Sequence, residues 1–323
     1  MVSVLITGAG GQDGSYLTDR LLDRGWMVHA LVRGGSPEEP EQPLTEAAHR
    51  VEADLADLRA VGEVIARLQP DVIVNLAGIS SVAQSWEHPQ RVAMVNGVAV
   101  GTMLEAAWQV SCARSTPVRF IQASSAELFG KTTDDPQTEQ TKISPSSPYG
   151  ASKAFAHHLV GVYRARGLAA SAAILYNHES PRRPLSFVTR KITHGVAAIA
   201  EGRARTIELG NLDTRRDWGW APDYVDAIVR MIDAEKHADY IVATGETHSV
   251  EEFVEEAFSY VGITDWRPYV TFNADWVRPV DAPNLRGDSA KIRQELGWEP
   301  TKGFSEVVAE MVRNDLELAR LPQ

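Results

Sequence analysis

Residues 2–17 read VSVLITGAGGQDGSYL. Val2 to Thr7 is a short β-branched run that stops at a glycine, the pattern of a buried parallel strand. Gly8, Gly11 and Gly14 follow as G-x-x-G-x-x-G, and residues 13–24 then place Tyr16, Leu17, Leu21 and Leu22 at helical spacing, with Gly25 as the stop. A strand that runs through a glycine turn into a helix suits a dinucleotide. The missing side chains let the backbone close on a pyrophosphate, and the helix start offers N–H donors and the positive end of a dipole. The spacing differs from the G-x-G-x-x-G of ordinary dehydrogenases. A plain tight turn is the competing reading, and the flanking strand and helix favour the cofactor.

Outward from this unit the same alternation repeats. Strands are expected at 27–32 (MVHALV), 50–54 (RVEAD), 71–78 (DVIVNLAG), 118–125 (VRFIQASS) and 169–177 (AASAAILYN), with helices at 57–68, 89–112 and 147–167. The stretch GGSPEEPEQP (34–43) reads as an exposed loop. This order predicts an α/β fold with a Rossmann-type, doubly wound parallel sheet. After Asn177 the pattern gives way to basic and polar stretches, SPRRPLSFVTRK and LGNLDTRRDWGW, among shorter helices. We therefore expect a dinucleotide-binding domain over 1–176, to which a strand near 239–243 returns, and a smaller α/β substrate lobe over 177–323.

Composition narrows the class. The 323 residues carry 32 Lys and Arg against 43 Asp and Glu, a net charge of −11, which argues against general nucleic-acid binding. One cysteine, Cys112, excludes an internal disulfide and suits a reducing cytosol. The first residues lack the charged and apolar regions of a signal peptide, and no run approaches the ~18 apolar residues of a membrane span. A cytoplasmic protein is expected, without a membrane or nucleic-acid partner and without a metal.

Dinucleotide enzymes that use NAD place a carboxylate roughly 20 residues beyond the glycines, on the ribose 2′-OH. Here that place is Val32-Arg33. An arginine suits a 2′-phosphate, so NADP is favoured over NAD; a solvated loop cation is the alternative. Asp54-Leu55, after the third strand, either holds the adenine edge or has Asp54 capping the next helix. Farther on, PYGASK sets Tyr149 and Lys153 four residues apart on one helical face. A nearby ammonium and a cationic cofactor ring lower a tyrosine's pKa and make it a base. The preceding strand ends in Ser125, and Glu127 falls on the same side of an extended chain two residues later.

With these residues in order, the chain resembles the extended short-chain dehydrogenase/reductase family. The resemblance implies that Tyr149 takes a proton from a sugar hydroxyl, Lys153 binds the nicotinamide ribose and tunes Tyr149, and Ser125 polarises the substrate oxygen. The longer runs YNHESPRRPLSFVTRKI (176–192), LGNLDTRRDWGWAPDYVDAI (209–228) and RPVDAPNLRGD (278–288) closely resemble GDP-mannose 4,6-dehydratases. That resemblance makes Glu127 the base for the C5 proton. It places Asn177, Val188, Lys191, Gly210, Arg216 and Arg278 on the GDP-sugar. It also places Gly8, Gly11, Gln12, Asp13, Gly14, Arg33, Asp54, Leu55, Leu76, Ala77, Ser80, His178 and Arg183 on NADP, and it implies a homodimer or homotetramer through helices 89–112 and 147–167. For each basic residue the plain alternative is an ion pair between lobes, for His178 a hydrogen-bonded core histidine; Trp218 and Trp220 read as packing.

The chain departs from the family's usual pattern at several points. Ser124-Ser125-Ala126-Glu127 stands for Ser-Thr-Ser-Glu, Arg33-Gly34 for Arg-Arg, Leu76–Val82 for LAAQSHV, and Arg91 for a tyrosine. These changes border the cofactor and the sugar. Another nucleotide-sugar 4,6-dehydratase, a 4-epimerase or a 4-keto reductase are the neighbouring alternatives, and a non-catalytic NADP-sensing regulator is the remote one.

Overall fold

A computed structural model describes residues 1–33, 42–274 and 284–321. Among these residues the strands β1 (Ser3–Thr7), β2 (Met27–Val32), β3 (His49–Glu52), β4 (Val72–Asn75), β5 (Arg119–Ser125) and β6 (Ala169–Leu175) alternate with helices α1 (Gln12–Asp23), α2 (Leu58–Leu68), α3 (Val82–Glu87), α4 (Pro89–Ala93), α5 (Ala99–Arg114) and α6 (Pro148–Ala165). The chain continues through β7 (Asn177–Glu179), α7 (Val188–Ala200), β8 (Ile207–Leu209), β9 (Arg215–Arg216), β10 (Trp218–Trp220), α8 (Ala221–Asp233) and β11 (Asp239–Val242). It ends with β12 (His248–Ser249), α9 (Val250–Tyr260), β13 (Val270–Phe272), β14 (Asn284–Leu285), α10 (Ala290–Leu296) and α11 (Phe304–Arg320).

Seven strands form one parallel sheet in the order β11-β6-β5-β4-β1-β2-β3. Strands buried on both faces need no polar alternation, and β6 (AASAAIL) is buried at every position, its small side chains admitting helices from both sides. Leu17 and Leu21 of α1 pack with Tyr224 and Ile228 of α8 on one face. Val61 and Ile65 of α2 pack with Met103 and Leu104 of α5 on the other. The chain leaves β1 toward β2 and β3, then jumps back to β4. Above the ends of β1 and β4 the connections diverge, which opens the crevice in which such sheets bind ligands. A third core, around Trp218, Phe253, Phe258 and Met311, belongs to α7, α9, α11 and the short strands beside them.

The chain after β5 is not extended as expected: Ala126–Leu128 forms a 3-10 turn, which carries Glu127 out of the strand's alternation. One further expectation is corrected and one alternative is decided. The helix expected over 89–112 is interrupted by a π-helical turn at Met94–Val98, where Asn96 faces inward and spends its amide on the loop after β4. The cap of α2 is Asp57, whose Oδ1 accepts from Ala60 N at 3.0 Å, whereas Asp54 accepts from Ala56 N at 2.9 Å. Two residues separate the two aspartates, and the nearer one takes the helix. Trp218 is packing, as expected, with its ring against Phe253 and Phe304. No described helix is long and apolar enough to cross a membrane.

Candidate active site

The glycine turn is built so tightly that side chains are excluded. Gly8 has φ +68°, and a Cβ there would stand 2.8 Å from Ala77 N; at Gly14 it would stand 2.1 Å from Gly8 O. Gly11 starts α1 without a capping side chain, so the leading N–H groups of the helix are not taken by one and can serve an anion. The first residues of α1 face the second lobe. Gln12 Nε2 donates to His178 O at 3.0 Å, and Ser180 Oγ donates to Gln12 Oε1 at 2.8 Å. His178 Nε2 meets the Asp13 carboxylate at 2.9 Å while its Nδ1 meets Tyr176 O at 2.7 Å. A carbonyl and a carboxylate both accept, so this pair of partners favours the imidazolium form, in which both ring nitrogens donate. Burial works against that charge, but Asp13 overrides it and raises the imidazole's pKa, and Asp13 is in turn held below the usual carboxylate range by His178 despite its own burial.

At the end of β5 the pleat sorts the two serines. Ser124 turns to His157 Nδ1 at 3.3 Å, whereas Ser125 lies beside Tyr149 and accepts from Glu127 N at 3.3 Å. Tyr149 and Lys153 project from α6, which Ser147 caps by accepting from Gly150 N at 3.0 Å. Both side chains are buried. Lys153 Nζ donates to Ala123 O at 2.9 Å and stands 5.8 Å from the Tyr149 ring centre. Burial pushes the Tyr149 phenol up to about 12; Ser125 and Arg183 pull it down, and Glu127 adds to the rise. Burial lowers the Lys153 ammonium to about 8, against the opposing pull of Asp13. Ser125, Glu127, Tyr149, Lys153, Asp13 and Arg183 are thus one electrostatic cluster spanning β5, α6, α1 and the loop after β7.

A polar ladder beneath the crevice holds these strand ends in register. Thr7 Oγ1 donates to Asn75 Oδ1 at 2.5 Å, Asn75 Nδ2 to Gln122 Oε1 at 2.8 Å, and Ala77 N to Thr7 Oγ1 at 3.1 Å. Asn96 clamps the backbone of Ile79 from both sides, accepting from its N–H at 2.8 Å and donating to its carbonyl at 3.0 Å. Gly78 lies between this clamp and Lys153, for a Cβ there would come within 3.0 Å of Asn96 Oδ1 and 3.7 Å of Lys153 Nζ. Leu76, Ala77 and Ser80 line the same loop after β4, with Ser80 exposed.

Arg33 is exposed at the end of β2, and Asp54 with buried Leu55 follows β3, so these two sit outward along the same edge of the sheet. Arg91 Nη2 stands 4.0 Å from Asp54 Oδ2. The Arg183 guanidinium lies 3.7 Å over the Phe187 ring and 3.3 Å from Glu179 Oε2, which also accepts from Thr189 Oγ1 at 2.7 Å. Asn177 begins β7 opposite Trp218, Val188 and Lys191 occupy the first turn of α7, Gly210 follows β8, and buried Arg216 lies on β9. Burial lowers the Lys191 ammonium, and Glu208 on β8 resists that. Arg278 lies outside the described residues. The sequence singled out neither Asn96, Gly150 nor Asp217, because each matters through a partner remote along the chain. No group of three or more His, Cys, Asp or Glu among the described residues could hold a metal.

The doubly wound sheet thus carries a glycine turn at its switch point, with Ser125 at the end of β5 and Tyr149 and Lys153 on α6 beside it. A family profile described as GDP-mannose 4,6 dehydratase matches residues 5–311. GDP-mannose 4,6 dehydratase 2 of Arabidopsis thaliana is 43% identical over 98% of this chain and 87% of its own, and the human GDP-mannose 4,6 dehydratase is 40% identical over 98% and 92%. The chain belongs to the GDP-mannose 4,6-dehydratase family. Among solved structures, the UDP-glucose 4-epimerase of Thermus thermophilus in complex with NAD superposes with a TM-score of 0.84 at 25% identity, covering 97% of this chain and 98% of that one. The UDP-glucose 4-epimerase of Thermotoga maritima superposes with a TM-score of 0.85 at 22% identity, covering 98% and 99%, and shows the shared fold.

Proposed function

We propose that this protein catalyses the NADP-dependent dehydration of GDP-mannose to GDP-4-keto-6-deoxymannose. The observation that carries the reading is Glu127, placed at the same strand end as Ser125 and near enough to Tyr149 to act on its phenol. Hydride and proton exchange at one carbon does not require that second base, whereas removal of a C5 proton does. The Gly8–Gly14 turn suits a dinucleotide, because it is too tight for side chains and opens α1 with leading N–H groups that no side chain caps. Gly8, Gly11, Gln12, Asp13 and Gly14 would hold its pyrophosphate side, Arg33 the 2′-phosphate, Asp54 and Leu55 the adenine edge, and Leu76, Ala77, Ser80, Lys153, His178 and Arg183 the nicotinamide half. Residues 1–176 with β11 would serve the cofactor, and 177–323 mainly the sugar nucleotide through Asn177, Val188, Lys191, Gly210, Arg216 and Arg278.

When bound, the cofactor supplies reversible hydride storage, so the reaction needs no net reductant. Tyr149 takes the O4 proton, with Lys153 lowering the cost of its phenolate and Ser125 donating to O4 as the ketone forms. The ketone at C4 acidifies the C5 proton, which Glu127 removes, and the same carboxyl then protonates the C6 hydroxyl as it leaves as water. The hydride taken from C4 would return to C6 while Tyr149 gives its proton back to C5, which completes the 6-deoxy-4-ketone. Incubation of the protein and NADP with GDP-mannose should yield a product lighter by one water, with NADPH neither accumulating nor required in stoichiometric amount. Glu127→Gln should cut water elimination by ~10²–10⁴-fold, the contribution of a positioned base, while leaving GDP affinity intact. Elimination at the normal rate in that variant would remove Glu127 from the mechanism.

The π turn before α5 and the outer face of α6 carry Val98 and the pair Phe155 and Val162, exposed by 39, 50 and 61%. This surface supports a homodimer in which the paired helices of two copies form a four-helix contact.

A further inference from the structure

One buried charge lies outside the chemistry just described. Asp217 is wholly buried, directly after Arg216 and at the junction of β9 and β10. Its Oδ1 accepts from Thr244 N at 2.9 Å and from Thr244 Oγ1 at 2.7 Å; its Oδ2 accepts from Gly245 N at 2.9 Å and from Gly287 N at 3.4 Å. One carboxylate thereby gathers three segments distant in sequence: the β9–β10 junction, the loop that leaves β11, and the loop that leaves β14. The approach is close enough to demand glycine at 287, where a Cβ would stand 2.5 Å from Ala243 Cβ and 2.7 Å from Tyr176 Cε2. Gln137 braces the same place, accepting from Tyr176 OH at 3.0 Å and from Arg286 N at 2.9 Å. Arg216 itself sits between two strands, with His248 of β12 and Leu285 of β14 as its backbone neighbours.

A buried carboxylate is a costly way to join loops unless placement is what it secures, because burial penalises the ion and a neutral pair would pack as well. We propose that Asp217 is a positioning residue for the substrate diphosphate: it pins the strand from which Arg216 projects to the ends of β11 and β14. The proposal rests on the reading that Arg216 binds the diphosphate of the GDP-sugar. Asp217 touches neither sugar nor cofactor; it acts through Arg216. A long cation that must meet a phosphate gains affinity when its backbone is held still, because less freedom is lost on binding.

The test is a double-mutant cycle on GDP affinity, measured by calorimetry with the wild type, Arg216→Ala, Asp217→Asn and the double variant, with NADP affinity as the control. In Asp217→Asn an amide N–H₂ replaces one acceptor opposite backbone donors. GDP should bind ~10-fold more weakly, the scale of one charged hydrogen bond, with NADP affinity within about twofold of wild type. KM for GDP-mannose should rise with little change in kcat. The double variant should bind GDP no more weakly than Arg216→Ala alone. Should Asp217→Asn fail to fold, Thr244→Val removes only the hydroxyl donor and should show a smaller loss that vanishes in the Arg216→Ala background. Additive losses, an equal loss for NADP, or unchanged GDP affinity would overturn the positioning role. A wild type that does not bind GDP would overturn the functional reading with it, whereas an additive cycle in a GDP-binding wild type overturns the positioning role alone.

Discussion

Tyr149 and Lys153 cannot both be in their working states in the ligand-free protein. Burial pushes the phenol up to about 12 and the ammonium down to about 8. Below the lower value Lys153 is charged while Tyr149 keeps its proton; near the upper one Tyr149 ionises, but Lys153 has already lost its charge. A phenolate beside an ammonium therefore needs a further positive charge, and an oxidised nicotinamide ring supplies one that the reduced ring lacks. Ligand-free wild type and Tyr149→Phe should show the same phenolate absorbance up to about pH 10, where ordinary tyrosines titrate. NADP⁺ should lower the midpoint of the Tyr149 phenolate toward neutrality, and NADPH should not. An equal midpoint with both forms would mean that the ring's charge does not govern the base. At this scale the helix period put Tyr149 and Lys153 on one face and the strand end offered Ser125, but the strand period does not account for Glu127, because the chain turns into a 3-10 helix at Ala126–Leu128. The ionisation of His178 was not legible, since its partner Asp13 is 165 positions away.

At the scale of elements, α6 reaches the end of β5 only because Gly150 has no side chain. A Cβ there would stand 2.5 Å from Glu127 O and 3.1 Å from Pro145 Cβ. A backbone oxygen cannot rotate aside as a side chain can, so Gly150→Ala must push α6 and the Glu127 segment apart. Tyr149 and Lys153 ride on the one, Ser125 and Glu127 on the other. Displacement approaching 1 Å between reacting groups costs about 10²-fold in rate. Gly150→Ala should lose turnover on that order with GDP affinity nearly kept, as measured by steady-state dehydration and calorimetry. Wild-type turnover in this variant would show that the two elements move independently. The order of strands and helices was readable from the apolar periodicity, apart from the π turn within the helix expected over 89–112. Local pattern favours an unbroken helix there, and the π turn coincides with Asn96 reaching Ile79, 17 residues upstream. Gly150 was invisible for a similar reason, as its neighbour is a carbonyl on another element.

At the scale of the whole molecule, the helices that carry the base also form the surface best suited to a second copy. α5 and α6 lie close, for a Cβ at Gly101 would come 3.3 Å from Leu159 Cδ1. Glu105 of α5 ties them by accepting from Tyr163 OH and Arg166 Nη1, each at 2.8 Å. Phe155 and Val162, two turns apart on α6, stay in contact with water together with Val98 of the π turn that precedes α5, and a Cβ at neighbouring Gly97 would come 3.0 Å from the Phe155 ring. Scattered exposed apolar residues are ordinary, but a contiguous set forms a patch of the kind that marks an interface. A contact there would brace α6 from behind, on the side away from the crevice. A charge introduced into the patch desolvates poorly against its symmetric copy and repels it, whereas on a lone monomer it stays hydrated at little cost. The variant Phe155→Arg/Val162→Arg should therefore elute and scatter light as a monomer, where the wild type should run as a dimer or a multiple of one. Its helix content should be unchanged and its melting temperature lower, as expected when a stabilising partner is lost. Turnover per protomer should fall with the bracing of α6, and raising the protein concentration should restore neither the assembly nor the rate. An unchanged oligomer in this variant would place the subunit contact on another face.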